Sequence, residues 1–148
     1  THDITLHSKD THIKGVTLNI CGEHPQSAFA LGFVNGSTGD SAGLSLGLFN
    51  YAENYKGVQW GFANCTRGDF VGWQDGFVNH AVNMTGLQSG VVNIADTFQG
   101  VQLGVVNYAK TASSGIHIGT INLISQNEWF SGFPQELAKG MVFVNWRF

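Results

Sequence analysis

Gly100-Val101-Gln102-Leu103-Gly104-Val105-Val106-Asn107 is the stretch whose reading decides the fold. Taken at alternate positions, it gives Val101, Leu103 and Val105 on one side and Gly100, Gln102, Gly104 and Val106 on the other. Such alternation belongs to an extended strand with one apolar face; helical spacing does not fit. The pattern Gly-apolar-x-x-Gly-apolar-apolar-Asn occurs nearly unchanged six times, at Gly43–Asn50, Gly57–Asn64, Gly72–Asn79, Gly86–Asn93, Gly100–Asn107 and, with the polar Thr120, Gly115–Asn122, with starts 14 or 15 residues apart. A seventh copy, Ala28–Asn35, lacks only its first glycine. A fixed period means one supersecondary unit used again and again.

Short turn-like stretches separate the copies, among them Gly36-Ser37-Thr38-Gly39-Asp40 and Thr66-Arg67-Gly68-Asp69. One clear turn per period divides it into a strand of ten or so residues and a turn of about four, the arithmetic of an antiparallel meander. Ile4–His7 and Lys14–Ile20 before the copies and Gly140–Phe148 after them also alternate, giving ten candidate strands. The expectation is therefore an all-β, repeat-built antiparallel meander of about ten strands, its first strand pairing with its last to close a β-barrel. The chain reads as a single domain over residues 1–148, with N-terminal strands at 1–27, seven repeats at 28–124, an aromatic loop at 125–139 and a closing strand at 140–148. In the barrel, Gln59, Gln74, Gln88 and Gln102, each flanked by glycine, form an inward amide layer and the apolar set faces outward. The alternative is a parallel β-solenoid with 14–15 residues per coil. There Asn50, Asn64, Asn79, Asn93, Asn107 and Asn122 stack as a ladder around an apolar core. That winding needs a second bend per coil, for which the mid-motif glycine is the candidate.

At 148 residues the chain can bury a real core. Charged residues make up 11%, against roughly 25% in an average soluble domain. The net charge of −3 with no basic stripe argues against nucleic acid as a partner. No run of about 18 apolar residues provides a membrane-spanning helix. A first residue of Thr1 rather than Met suggests that an upstream segment was removed. Cys21 and Cys65 are too few for a disulfide framework and read as free buried thiols ahead of a bridge.

Gly72-Trp73-Gln74-Asp75-Gly76-Phe77-Val78-Asn79, its copies at Gly86 and Gly100, and Phe143-Val144-Asn145-Trp146-Arg147-Phe148 resemble the leptospiral-type surface-repeat family of Gram-negative bacteria, from about Gly15 to the terminus. The final strand, ending on Phe148, looks like the assembly signal of bacterial outer-membrane barrels. The resemblance implies an exported envelope or surface protein with a structural or adhesive, non-enzymatic role. An outer-membrane barrel is one of its forms, and outer-membrane lipid or a surface partner would be its contact. The family supplies no catalytic residues. Cys21, Cys65 and Asp75 depart from a clean membrane-facing pattern. The second reading is a soluble extracytoplasmic binding module for a lipid, glycan or protein.

Several motifs have plainer explanations. Arg67-Gly68-Asp69 falls in a turn where an integrin could read it, yet Gly-Asp is ordinary hairpin chemistry, as at Gly39-Asp40. Asn35-Gly36-Ser37, Asn64-Cys65-Thr66 and Asn83-Met84-Thr85 match the glycosylation pattern, but two begin on the repeat's own asparagine. The histidines His2, His7, His12, His24, His80 and His117 have no carboxylate or cysteine at ligand spacing, so no metal is expected; His80 and His117 are the pair that folding could bring together. Cys21 near His24 is the nearest approach to a nucleophile pair, and no Gly-x-Ser-x-Gly occurs. Neither a catalytic residue nor a cofactor is expected. The largest break in the period, Ser125–Lys139, carries Trp129, Phe130 and Phe133; it reads as a lid over one end of the fold and as the candidate ligand-binding loop.

Overall fold

The computed structural model describes residues 13–23 and 26–148. Four strands, β1 (Ile13–Glu23), β2 (Gln26–Trp60), β3 (Ala63–Ile124) and β4 (Gly140–Arg147), form one sheet in the order β1-β2-β3-β4. The 62 residues of β3 would reach ~200 Å if straight, at ~3.3 Å per residue. Instead Asn64 Nδ2 donates to Asn79 Oδ1, 15 positions on, at 2.8 Å. The long strands thus lie against themselves, each repeat upon the one before.

The pairing is parallel. β2 and β3 match Gly57 with Gly72, Gln59 with Gln74 and Trp60 with Asp75, while β1 and β2 match Val16 with Phe29 and Leu18 with Leu31. Only β4 runs antiparallel to its neighbour, pairing Val144 with Ile118. This corrects the antiparallel meander. Parallel register sets like upon like, so each asparagine meets an asparagine and each glutamine a glutamine. Reversing alternate strands would leave the asparagines facing other residues. Among the described residues β1 and β4 stand at opposite edges of the sheet, so these strands do not close a barrel. The expected Ile4–His7 strand lies outside the described residues.

Burial departs from period two within each repeat. In the repeat that begins at Gln102, the buried residues are Gln102, Asn107, Ala109 and Ala112. Outward neighbours follow one another at Val105–Val106 and Lys110–Thr111, where the alternation shifts phase. Each shift puts two successive side chains on the outside, a break in the alternation that the glycine and Asn-Asp clusters do not reveal. Inside, an apolar cluster joins Tyr55, Phe70, Met84 and Phe98 to a column of alanines, Ala52, Ala81, Ala95 and Ala109. Rings stack where aromatics follow each other: Tyr55 and Phe70 lie 6.0 Å apart at 10°.

The two motif glycines do different work. The first adopts φ of 138° at Gly57 and 139° at Gly72, a conformation closed to L side chains. The unusual backbone angle thus falls on this glycine, not on the mid-motif one. At the mid-motif Gly104, a Cβ would sit 2.6 Å from Asn93 Nδ2 and 2.6 Å from Gly90 O. That glycine makes room for the asparagine column.

β4 ends the stack. Asn145 Nδ2 donates to Asn122 O at 3.2 Å, and Asn122 Nδ2 to Met141 O at 3.4 Å. The 125–139 segment packs on the last repeat through Ser125 N to Ala109 O at 2.9 Å and through buried Asn127 and Ala138, while Glu136 pairs with Arg147.

Candidate functional site

The buried amides are structural. Asn Nδ2 groups donate to the next Asn Oδ1 along Asn50, Asn64, Asn79, Asn93, Asn107 and Asn122, at 2.8–2.9 Å throughout. The second hydrogen of each amide goes to a carbonyl of the following repeat, as in Asn93 Nδ2 to Leu103 O at 2.8 Å. Two donors and an acceptor on one short side chain suit asparagine to this column. The glutamines point the other way: Gln74 donates to Gln59 at 2.9 Å, Gln88 to Gln74 at 2.9 Å and Gln102 to Gln88 at 2.6 Å. The two ladders run in opposite senses, so their dipoles oppose.

The aromatic loop lies differently from a lid made of its rings. Trp129, Phe130 and Phe133 are all more than half exposed; Trp129 and Phe130 stand 6.3 Å apart, and Phe133 leans toward Trp146 at 6.3 Å. Asn127, Glu136 and Ala138 cover the stack end in their place.

Arg67-Gly68-Asp69 is held down on both sides. The Arg67 guanidinium lies 5.0 Å above the Tyr51 ring, and Asp69 Oδ1 accepts from Asn83 Nδ2 at 2.8 Å. Of the sequon asparagines, Asn35 and Asn64 are buried ladder members, whereas Asn83 is exposed. His80 and His117 have separate surroundings. His80 Nδ1 is 3.8 Å from the free thiol of Cys65, whose pKa burial raises against the pull of Arg67. His117 is fully buried beside Phe98, at 5.2 Å between rings, and desolvation lowers its pKa to about 4. No three His, Cys, Asp or Glu side chains converge among the described residues. His2, His7, His12, His24 and the Cys21 side chain lie outside them.

With amides inside, the apolar set is outside, as the barrel required, although the pairing is that of the rival. Leu18 is 76% exposed, Phe33 63%, Trp60 59% and Phe62 53%. Aromatic side chains line up along this face: Phe62 and Phe77 stack at 5.2 Å and 3°. Between the columns, Leu18, Leu31, Phe33, Leu46 and Leu48 line an open apolar groove of about 540 Å³.

One acid interrupts the face. Asp75 stands in the fourth of the seven copies, paired in register with Trp60 and two residues from Trp73. Its carboxylate accepts from Ser89 Oγ, which in turn accepts from Trp73 Nε1 at 2.8 Å. The strand assignment between Gln26 and Ile124 breaks once, at Gly61–Phe62, where Gly61 N donates to Asp75 O at 3.0 Å. The sequence singled out Asp75 only as a departure from the pattern; neighbours 15 positions apart needed the register to become a cluster.

No family model, curated protein or solved structure matches this chain. Its class follows from the fold alone: an all-β protein of one predominantly parallel sheet.

Proposed function

We propose that this chain is a non-enzymatic structural or adhesive protein of the bacterial envelope or surface, wound as a parallel β-solenoid of 14–15 residues per coil. In-register contacts between residues one period apart and the phase shifts within each repeat support the winding. The observation that carries the function is a partial inversion of the usual layering: hydrogen-bonded amide ladders share the interior with one apolar cluster, while most leucines and valines and many aromatics stand outside. An interior held by ladders is rigid and self-propagating, which suits a scaffold. An outward apolar face of this extent suits attachment to another apolar surface. The extracytoplasmic location, at the outer membrane or cell surface, rests on the resemblance of the Gly72, Gly86 and Gly100 copies to the surface-repeat family.

The test is co-flotation of the purified chain with outer-membrane vesicles in detergent-free buffer. Wild type floats; Leu46→Glu with Phe62→Glu sinks while keeping its thermal transition. Wild type that stays monodisperse and unbound defeats the adhesive reading. The groove of about 540 Å³ favours a second reading, a soluble extracytoplasmic binding module. On that reading the unbound monomer takes up an apolar fluorescent probe, and Leu31→Glu abolishes the uptake.

A further inference from the structure

We propose that Trp60, Trp73 and Asp75, with the apolar groove beside them, bind an amphiphile that carries a cationic ammonium head and a single alkyl chain. The proposal goes beyond the adhesive reading, though it uses the same outward face. Asp75 is the starting point. The outward columns that run through Trp73, Asp75 and Phe77 contain no Lys or Arg, and Ser89 is the one side-chain donor that reaches the carboxylate among the described residues. Any occupant that covers this face must deal with that charge.

Two apolar occupants fail. A second copy packed face to face about a two-fold axis through the middle copy brings one Asp75 toward the other, and like charges in a drying interface repel. A plain hydrocarbon surface pressed onto Asp75 itself, unlike one resting on the apolar columns around it, would strip water from the carboxylate and return nothing. A cationic head neutralises it. The indoles of Trp60 and Trp73 beside it offer the π-faces that favour quaternary and primary ammonium groups. Trp73 is held in place by its bond to Ser89 at 2.8 Å.

The tail has a path. Leu18, Leu31, Leu46, Trp60 and Asp75 hold the same motif position in successive repeats, and the groove lines the first three of these places. At ~4.8 Å per step, the four steps from Leu18 to Asp75 cover ~19 Å, a span that suits an extended alkyl chain with its head. The groove volume of about 540 Å³ lies within the ordinary range for small-molecule sites. Anionic ligands find no Lys or Arg in these columns.

The test titrates the full chain with dodecyltrimethylammonium, dodecyl maltoside and dodecyl sulfate, each below its micelle concentration, reading tryptophan fluorescence and calorimetric heat. The cationic head is expected to bind at least tenfold tighter than the neutral one, and the anionic head weakest. Asp75→Asn, which still accepts from Ser89, should bring the cationic affinity down to the neutral level. Leu31→Glu with Leu46→Glu should weaken the neutral ligand too, with the thermal transition checking that both variants fold. Equal affinity for all three heads, meaning adventitious adsorption only, overturns the site. So does a cation preference that survives Asp75→Asn. Tetramethylammonium binding as tightly as the long-chain ligand overturns the groove. Vesicle flotation without head preference leaves the adhesive reading standing and this one refuted; head preference without flotation does the reverse.

Discussion

Gln102 and His117 occupy consecutive places in one buried column, yet no hydrogen bond joins them. Gln102 donates to Gln88 Oε1 at 2.6 Å, but its own Oε1 and both ring nitrogens of His117 lack partners. The glutamine ladder thus stops one repeat short of the end, whereas the asparagine ladder continues through Asn122 to β4.

His117 makes the fold acid-sensitive. Its folded pKa, lowered to about 4, lies below the ordinary 6.5. Between those values the unfolded chain takes up a proton that the folded chain refuses, so stability falls as pH drops through 6.5 and the loss is complete below about 4. The single-site cost is about 3 kcal/mol. Urea melts of wild type and His117→Gln at pH 7 and pH 4.5 should show a markedly smaller acid loss in the variant. At pH 7 the new amide can donate to Gln102 Oε1 and add about 1 kcal/mol. Equal acid loss in both chains would remove His117 from the account.

Asn79→Ala should be far more damaging than Asn83→Ala. Asn79 accepts from Asn64 Nδ2 and donates to Ser89 O and Asn93 Oδ1, so its truncation strands three buried groups. At 1–3 kcal/mol each, the loss is about 4 kcal/mol. Asn83 bonds to Asp69 at the surface, and its loss should stay within about 0.5 kcal/mol. Chemical denaturation midpoints separate the two.

Gly104→Ala should cost about 3 kcal/mol, because its Cβ would press on the Gly90 carbonyl and the Asn93 amide. Gly39→Ala meets nothing within 4 Å, and its φ of 61° alone sets a cost of about 1 kcal/mol. Thermal shifts in that order would show that mid-motif glycine is required by closeness rather than by backbone angle.

Tyr55→Phe should stabilise the chain. The hydroxyl is buried without a partner, and its pKa is driven upward by desolvation, while the ring stacks on Phe70. Removing the oxygen keeps the ring contact and relieves about 1 kcal/mol. A lower urea midpoint would mean that the hydroxyl has a partner after all.

Local chemistry alone determined that this chain is extended, that its two strand faces differ, and that glutamine and asparagine recur at fixed places. Those facts follow from side chains alternating along a strand, which any reader of Gly100–Asn107 can count. Strand direction did not follow. The Gly-x-Gln-x-Gly half of the motif reads nearly the same backwards, so it suits parallel and antiparallel neighbours alike. The asparagine at the motif's end breaks that symmetry, but only contact between residues 14 or 15 apart reveals that asparagine rests on asparagine. The doublet before it, as at Val105–Val106, shifts the phase of burial, though two adjacent valines on a strand look like any apolar run. Which face is buried was likewise settled by tertiary structure, since alternation distinguishes two sides without saying which is dry. Amides can occupy the inside because the stack gives every donor an acceptor one repeat away, and Asp75 gains its aromatic neighbours by the same stacking.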